Sequence, residues 1–203
     1  LSILGTQPVQ SERAFQSRLK VERAIRDTEY SFIQGTYQKP ANNSTGRKTR
    51  GLGAAMSTNA VAASSAQLAK SHIDTLLRTM YGNDAPFRMV VIFCNAYQKQ
   101  KFSEVYGYAP ESRNVGGLNI NVIETDMGTF GIVLDRHMPT DEVYFVDVSV
   151  CAPVILEIPD KGFFFMEELA KTGAAENFQL YGEIGLEYGP EQWHGKITGL
   201  ATS

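Results

Sequence analysis

Three short strings in this chain carry residue types that could work together. Ser17 and Lys20 stand three positions apart in "SRLK", Ser57 and Asn59 flank Thr58 in "STN", and Lys171-Thr172-Gly173 follows near the end. In that order they match Ser-x-x-Lys, Ser-x-Asn and Lys-Thr-Gly, the signatures of penicillin-binding serine acyl-transferases. Residues three apart share a helix face, so the first spacing makes chemical sense, and Ser17, Lys20 and Lys171 would carry the reaction. Frequency and position argue against it. With 13 serines and 9 lysines in 203 residues, about 0.6 Ser-x-x-Lys pairs arise by chance. Ser17 also falls about two turns into a predicted helix. Its amide donors are already bonded to carbonyls there and cannot form an oxyanion hole.

No other side chains assemble a better centre. His72, His137 and His194 show no metal-ligand spacing and read as surface or packing residues. The two carboxylates of "ETDMG" (Glu124–Gly128) read as a solvated turn between strands, with too few oxygen donors for a cation. Cys94 and Cys151 lie far apart among apolar neighbours. They read as buried free thiols of a reducing compartment, a disulfide remaining open. Neither a GxGxxG nor a Walker-type loop occurs. The sequence therefore offers no catalytic residue, no metal site and no cofactor.

The elements around these residues explain more. A formal net charge of −3 is far from the basic stripe of a dedicated nucleic-acid binder. No apolar run nears the roughly 20 residues that cross a bilayer. The chain opens on Leu1 rather than Met, which implies a fragment or a processed product. Ser11 is placed to cap a helix over Glu12–Gln34, about 35 Å long. Val21, Ile25, Thr28 and Phe32 form one stripe of it, and Arg18–Glu22, Glu22–Arg26 and Arg23–Asp27 stand at i,i+4 on other faces. Gly35 reads as its C′ residue. Residues 36–63 are polar and rich in small side chains, a long link with a basic knot at Arg47-Lys48-Thr49-Arg50.

Further helices are expected over 64–81 and from the cap Asn95 to Tyr106. The nearly unbroken apolar run Phe87–Cys94 predicts a central strand covered on both faces. "LNINVIET", with Leu118, Ile120 and Val122 alternating, "TFGIVLD", "EVYFVDV" and "APVILEI" predict four more strands. Residues 177–188 alternate strictly, which predicts one strand of about 40 Å with a single covered face. A long charged helix beside a long strand makes a slab rather than a pocket.

In that order the elements resemble the major capsid protein of tailed bacteriophages, whose Johnson fold is shared with herpesvirus capsids. The strings "LDRHMPTDEVYFVD" (Leu134–Asp147), "ELAKTG" (Glu168–Gly173) and "GEIGLEYGPEQWHGKITGL" (Gly182–Leu200) carry the likeness, which extends from Leu4 to Leu200. The resemblance implies an α+β fold with a long spine helix, a long strand in a peripheral (P) domain, and a mixed α/β axial (A) domain. Residues 1–10 would be a remnant of the extended loop and 11–59 the P domain with its link. Residues 60–160 would be the A domain, 161–192 the return strands of the P domain, and 193–203 a segment packing near the A domain.

The resemblance further implies a non-enzymatic shell subunit forming pentamers and hexamers of an icosahedral head around double-stranded DNA. That DNA would be held without sequence-specific contacts. Portal, scaffolding or decoration proteins are expected partners, a membrane is not, and the expected location is the virion, assembled in the host cytoplasm. Arg47, Lys48, Arg50 and Lys171 are the candidate contacts between subunits. An encapsulin-type nanocompartment shell is the alternative on the same fold.

Overall fold

The computed structural model describes residues 12–42, 44–106, 112–115, 118–170, 173 and 177–202. By internal contacts the chain divides into two units, one of residues 1–30 and 155–184, the other of residues 31–154 and 185–203.

The larger unit is built on a seven-stranded mixed sheet. Its strands are β1 (Ala60–Ala62), β2 (Val90–Cys94), β3 (Ser112–Val115), β4 (Leu118–Thr125), β5 (Gly128–Leu134), β6 (Val143–Asp147) and β11 (Gly195–Thr198), in the order β1-β11-β6-β2-β5-β4-β3. β1 runs parallel to β11 and β2 parallel to β5, and the other neighbours are antiparallel. β6 and β2 are central, and every residue of β6 is buried. Successive side chains of a strand point to opposite faces, and β6 shows the result. Val143 and Phe145 join one apolar cluster with Ile92, Cys94, Ile132 and Ile197, while Tyr144 and Val146 join a second.

Helices close both faces. On the first, α3 (Lys70–Gly82) contributes Ile73, Leu76, Leu77 and Met80, and α4 (Ala96–Tyr106) contributes Phe102. A Cβ at Gly195 of β11 would stand 2.8 Å from Met80 Sδ and 2.9 Å from Leu76 Cδ1, so helix and strand meet at that glycine. On the second face lie Ile33 at the end of α1 (Glu12–Gln34), Leu52 of the short α2 (Leu52–Ala55), Met56 and Met138, with Leu186 and Tyr188 packed against them. Each fully buried side chain of this kind contributes about 1.5–3 kcal/mol.

The smaller unit contains most of α1 and two short antiparallel strands, β8 (Phe165–Glu168) and β9 (Phe178–Tyr181), which pair Phe165 with Tyr181 and Glu168 with Phe178. Lys161 reaches Glu167 at 2.8 Å, and the Phe165 and Tyr181 rings stand 5.8 Å apart. A further two-stranded sheet joins β7 (Ala152–Leu156) to β10 (Glu183–Glu187).

Several boundaries differ from the expectations. The 64–81 helix starts at Lys70, because Ser64 and Ser65 adopt left-handed φ of 51° and 64° and the Ser65 N–H donates to Gly199 O at 2.7 Å. β2 starts at Val90 because Phe87 has φ 46°. In β4 it is Ile123, paired with Phe130, that is buried, while Val122 is partly exposed. The 36–63 link is not featureless: it holds a Gln38–Lys48 bridge, α2 and β1. Gly35 ends α1 without a left-handed turn. Its Cβ would lie 2.2 Å from Ser31 O and 2.9 Å from Thr49 O, so crowding rather than φ requires glycine.

The long alternating run divides at Gly182 into β9 and β10, which take different partners. A Cβ there would sit 2.6 Å from Phe164 Cδ2 and 3.1 Å from Phe163 O. The Ser11 cap and the Gly107 stop lie outside the described residues.

Candidate functional site

The string Ser57-Thr58-Asn59 staples the link to the C-terminal segment. Asn59 is fully buried. Its Nδ2 donates to Gln192 O at 2.6 Å and to His194 O at 2.9 Å, and its Oδ1 accepts from Asn83 Nδ2 at 2.7 Å. An amide offers two donors and a carbonyl in one plane, which fits three partners drawn from two separate parts of the chain. Just before Asn59, the Glu191 carboxylate gathers the Ser57 N–H at 3.0 Å, the Thr58 N–H at 3.3 Å and the Thr58 hydroxyl. Burial pushes the Glu191 carboxyl up, but these donors outweigh it and hold it below its ordinary value.

His194 continues the same junction. It is fully buried. The Asp147 N–H donates to its Nδ1 at 3.1 Å, so Nδ1 is the unprotonated nitrogen and Nε2 carries the proton toward Tyr188 O. Burial depresses its pKa, against the pull of the Tyr188 carbonyl and of Asp147 and Glu191. Asp147 is also fully buried. Burial pushes its carboxyl up, but Ser149 Oγ at 2.6 Å and the N–H groups of Ser149, Arg88 and Met89 at 3.1–3.3 Å prevail, and its pKa is lowered. Above this knot the Arg88 guanidinium lies 5.3 Å from the Trp193 ring. What these groups do together is hold backbone in place.

Ser17 Oγ donates to Met166 Sδ at 3.4 Å from the sixth position of α1, and Lys20 is exposed. Burial raises the Cys94 thiol to about 12, against a small opposing pull from Lys99. Burial and then Asp147 raise Cys151 to about 11. Both cysteines are free, and neither supplies a thiolate near neutral pH. Among the described residues no group of three or more His, Cys, Asp or Glu could hold a metal ion, and no helix is long and apolar enough to cross a membrane.

A family model described as SU10 major capsid protein matches residues 3–201. The chain belongs to the SU10 major capsid protein family. Its fold agrees. The holo-SrpI encapsulin complex of Synechococcus elongatus PCC 7942 superimposes with a TM-score of 0.68 at 13% identity, over 98% of this chain and 69% of the other. A structure from Mycobacterium phage Patience gives 0.60 at 10% identity, over 98% and 67%. The capsid of a native GTA particle gives 0.58 at 14%, over 94% and 66%. The capsid chain thus spans about two thirds of the length of these neighbours, and it has their α+β Johnson fold. No curated protein matches the sequence.

In this capsid protein the residues singled out from the sequence fall in different places. Arg47, Lys48 and Arg50 are exposed on the link, where Arg50 stacks 4.8 Å from the Tyr37 ring and Lys48 pairs its backbone with Gln38. Lys171 lies outside the described residues, two positions before Gly173, whose φ is 99°. The string "HGKITGL" contains the junction's histidine and β11. Asp147, Glu191 and the role of Asn59 escape a reading of motifs and spacing. The one signal the sequence carries is a polar residue closing an apolar run, as Asp147 closes "VYFVD".

Proposed function

We propose that this chain is the major capsid protein of a tailed phage, assembling as pentamers and hexamers into an icosahedral head around double-stranded DNA. The family match across residues 3–201 carries the reading. Two physical features support it. Polar groups at the buried junction are spent on backbone rather than presented to a ligand. A net charge of −3 also suits a container, since a lining of strong phosphate binders would hinder DNA packing and release.

On this reading 11–59 and 161–192 form the P domain, 60–160 the A domain, and 193–203 the segment that returns to it, with 1–10 left from the extended loop. Arg47, Lys48, Arg50 and Lys171 are contacts between subunits. The shell is assembled in the host cytoplasm, becomes part of the virion, and receives portal, scaffolding or decoration proteins. No catalysis is assigned to Ser17, Lys20 or Lys171.

Negative-stain microscopy of the purified protein tests the proposal. Closed shells, tubes or rings are expected, with DNA inside particles recovered from infected cells. A monomer under every condition refutes it. The encapsulin likeness at a TM-score of 0.68 supports a second reading, a nanocompartment shell. Particles that enclose a protein cargo and no DNA would select it.

A further inference from the structure

All 26 buried apolar residues of the described chain lie in the larger unit, and none lies in the unit of residues 1–30 and 155–184. Eight large apolar side chains between 155 and 184 are instead exposed. Ile155, Leu156, Phe163, Phe164, Met166 and Leu169 are each 42–53% accessible. A strand pair alone is marginal in water and needs a third strand or a covered apolar face to persist. Among the described residues the β8–β9 pair has neither a third strand nor a buried side chain. Helix α1 belongs to the same unit and its Ser17 Oγ reaches Met166 Sδ at 3.4 Å, yet no side chain of the pair is buried. So little covered surface gains little against the unit's ordering entropy, and exposed apolar surface of this kind marks a contact site.

We infer that a second copy of this chain covers the exposed apolar side chains of segment 155–169, and that the β8–β9 pair becomes ordered only on that contact. The inference rests on the shell reading and says where in the chain the shell is made. Charge identifies the occupant. Segment 155–184 has six acidic residues against two lysines, whereas segment 31–59 has Lys39, Arg47, Lys48 and Arg50 and no acid. Identical neighbours therefore bring both halves of a complementary pair, repeated around a ring in a heterologous contact. The exposed apolar side chains supply the affinity, and the charges set the register.

Hydrogen–deuterium exchange on unassembled subunits and on assembled particles tests this. The amides of Phe165–Glu168 and Phe178–Tyr181 are expected to exchange roughly 100-fold more slowly in the particle. Those of Val90–Cys94 and Val143–Asp147 are expected to be equally protected in both forms. Equal protection of β8 and β9 in both overturns the inference and leaves the capsid reading standing, because the chain or another segment of it then covers these side chains. Failure of the protein to assemble at all overturns the capsid reading and this inference with it. The double variant Leu156→Asp with Phe164→Asp is expected to keep β2 and β6 protected while forming no particles. Assembly of that variant at wild-type yield overturns the inference.

Discussion

At the scale of single residues, the informative groups are polar and buried. Asn59 satisfies three partners, and replacing it with Ala leaves His194 O unpaired in a buried site and frees Gln192 O and Asn83 Nδ2 where the junction is only partly covered. A stranded buried group costs about 1–3 kcal/mol, so Asn59→Ala is expected to lose about that much, read as a lower urea midpoint with unchanged slope. His194 predicts a pH effect whose sign follows from its burial. Folded, the imidazole stays neutral because burial opposes the cation; unfolded, it takes a proton near 6.5. The unfolded state therefore binds more protons below that pH, and stability falls as pH drops from about 6.5. Asp147 has a lowered pKa and adds a second loss only under more acid conditions, below about 4. Urea midpoints between pH 7.5 and 5 should fall steeply in the native chain. In His194→Gln they should start lower and fall less.

At the scale of elements, glycines decide where regular structure stops. The helix α1 is readable from its stripe, its charge ladder and the absence of Gly or Pro over 23 residues. Its end is readable too, but for another reason than the one expected. Gly35 packs its α-carbon against the carbonyls of Ser31 and Thr49, while its N–H still bonds Ser31 O at 2.9 Å. A Cβ at Gly46, in the same link, would meet nothing within 4 Å. Gly35→Ala should therefore cost several kcal/mol, about 3 or more, as an overpacked backbone contact. Gly46→Ala should stay within about 0.5 kcal/mol of the native chain. Thermal melts of the two variants check the contrast, and equal melting points would refute it. The break at Gly182 follows the same logic: the period-two pattern runs straight through, and only the Phe164 ring shows why two strands form.

At the scale of the whole molecule, the distribution of apolar surface argues for assembly. A sheet with both faces covered needs no partner, whereas β7, apolar and exposed at all five positions, does. Charge belongs to this scale because it acts between copies. Lys48→Glu combined with Arg50→Glu is expected to lower shell yield at least about tenfold at low ionic strength, with less effect at about 0.5 M salt, where surface charges are largely screened. Light scattering during assembly measures it. An unchanged yield at low salt would remove Lys48 and Arg50 from the interface.

Local pattern was enough for whatever depends on near neighbours. It placed α1, the Asn95 cap that accepts the Gln98 N–H at 2.9 Å, the doubly covered β2 and the strand β6. The strings quoted from Leu134 to Leu200 led to the family that matches residues 3–201. Contacts between residues far apart in the chain settled the rest. "STN" became a staple because Glu191 and His194, more than 130 positions away, arrive beside it. β1 is three residues long, too short to carry a period, and exists because β11 lies alongside. Ile155, Leu156, Phe163 and Phe164 are of the same residue types as the core. Only the fold leaves them facing water, because hydrophobicity states that a residue is to be covered and never by which chain.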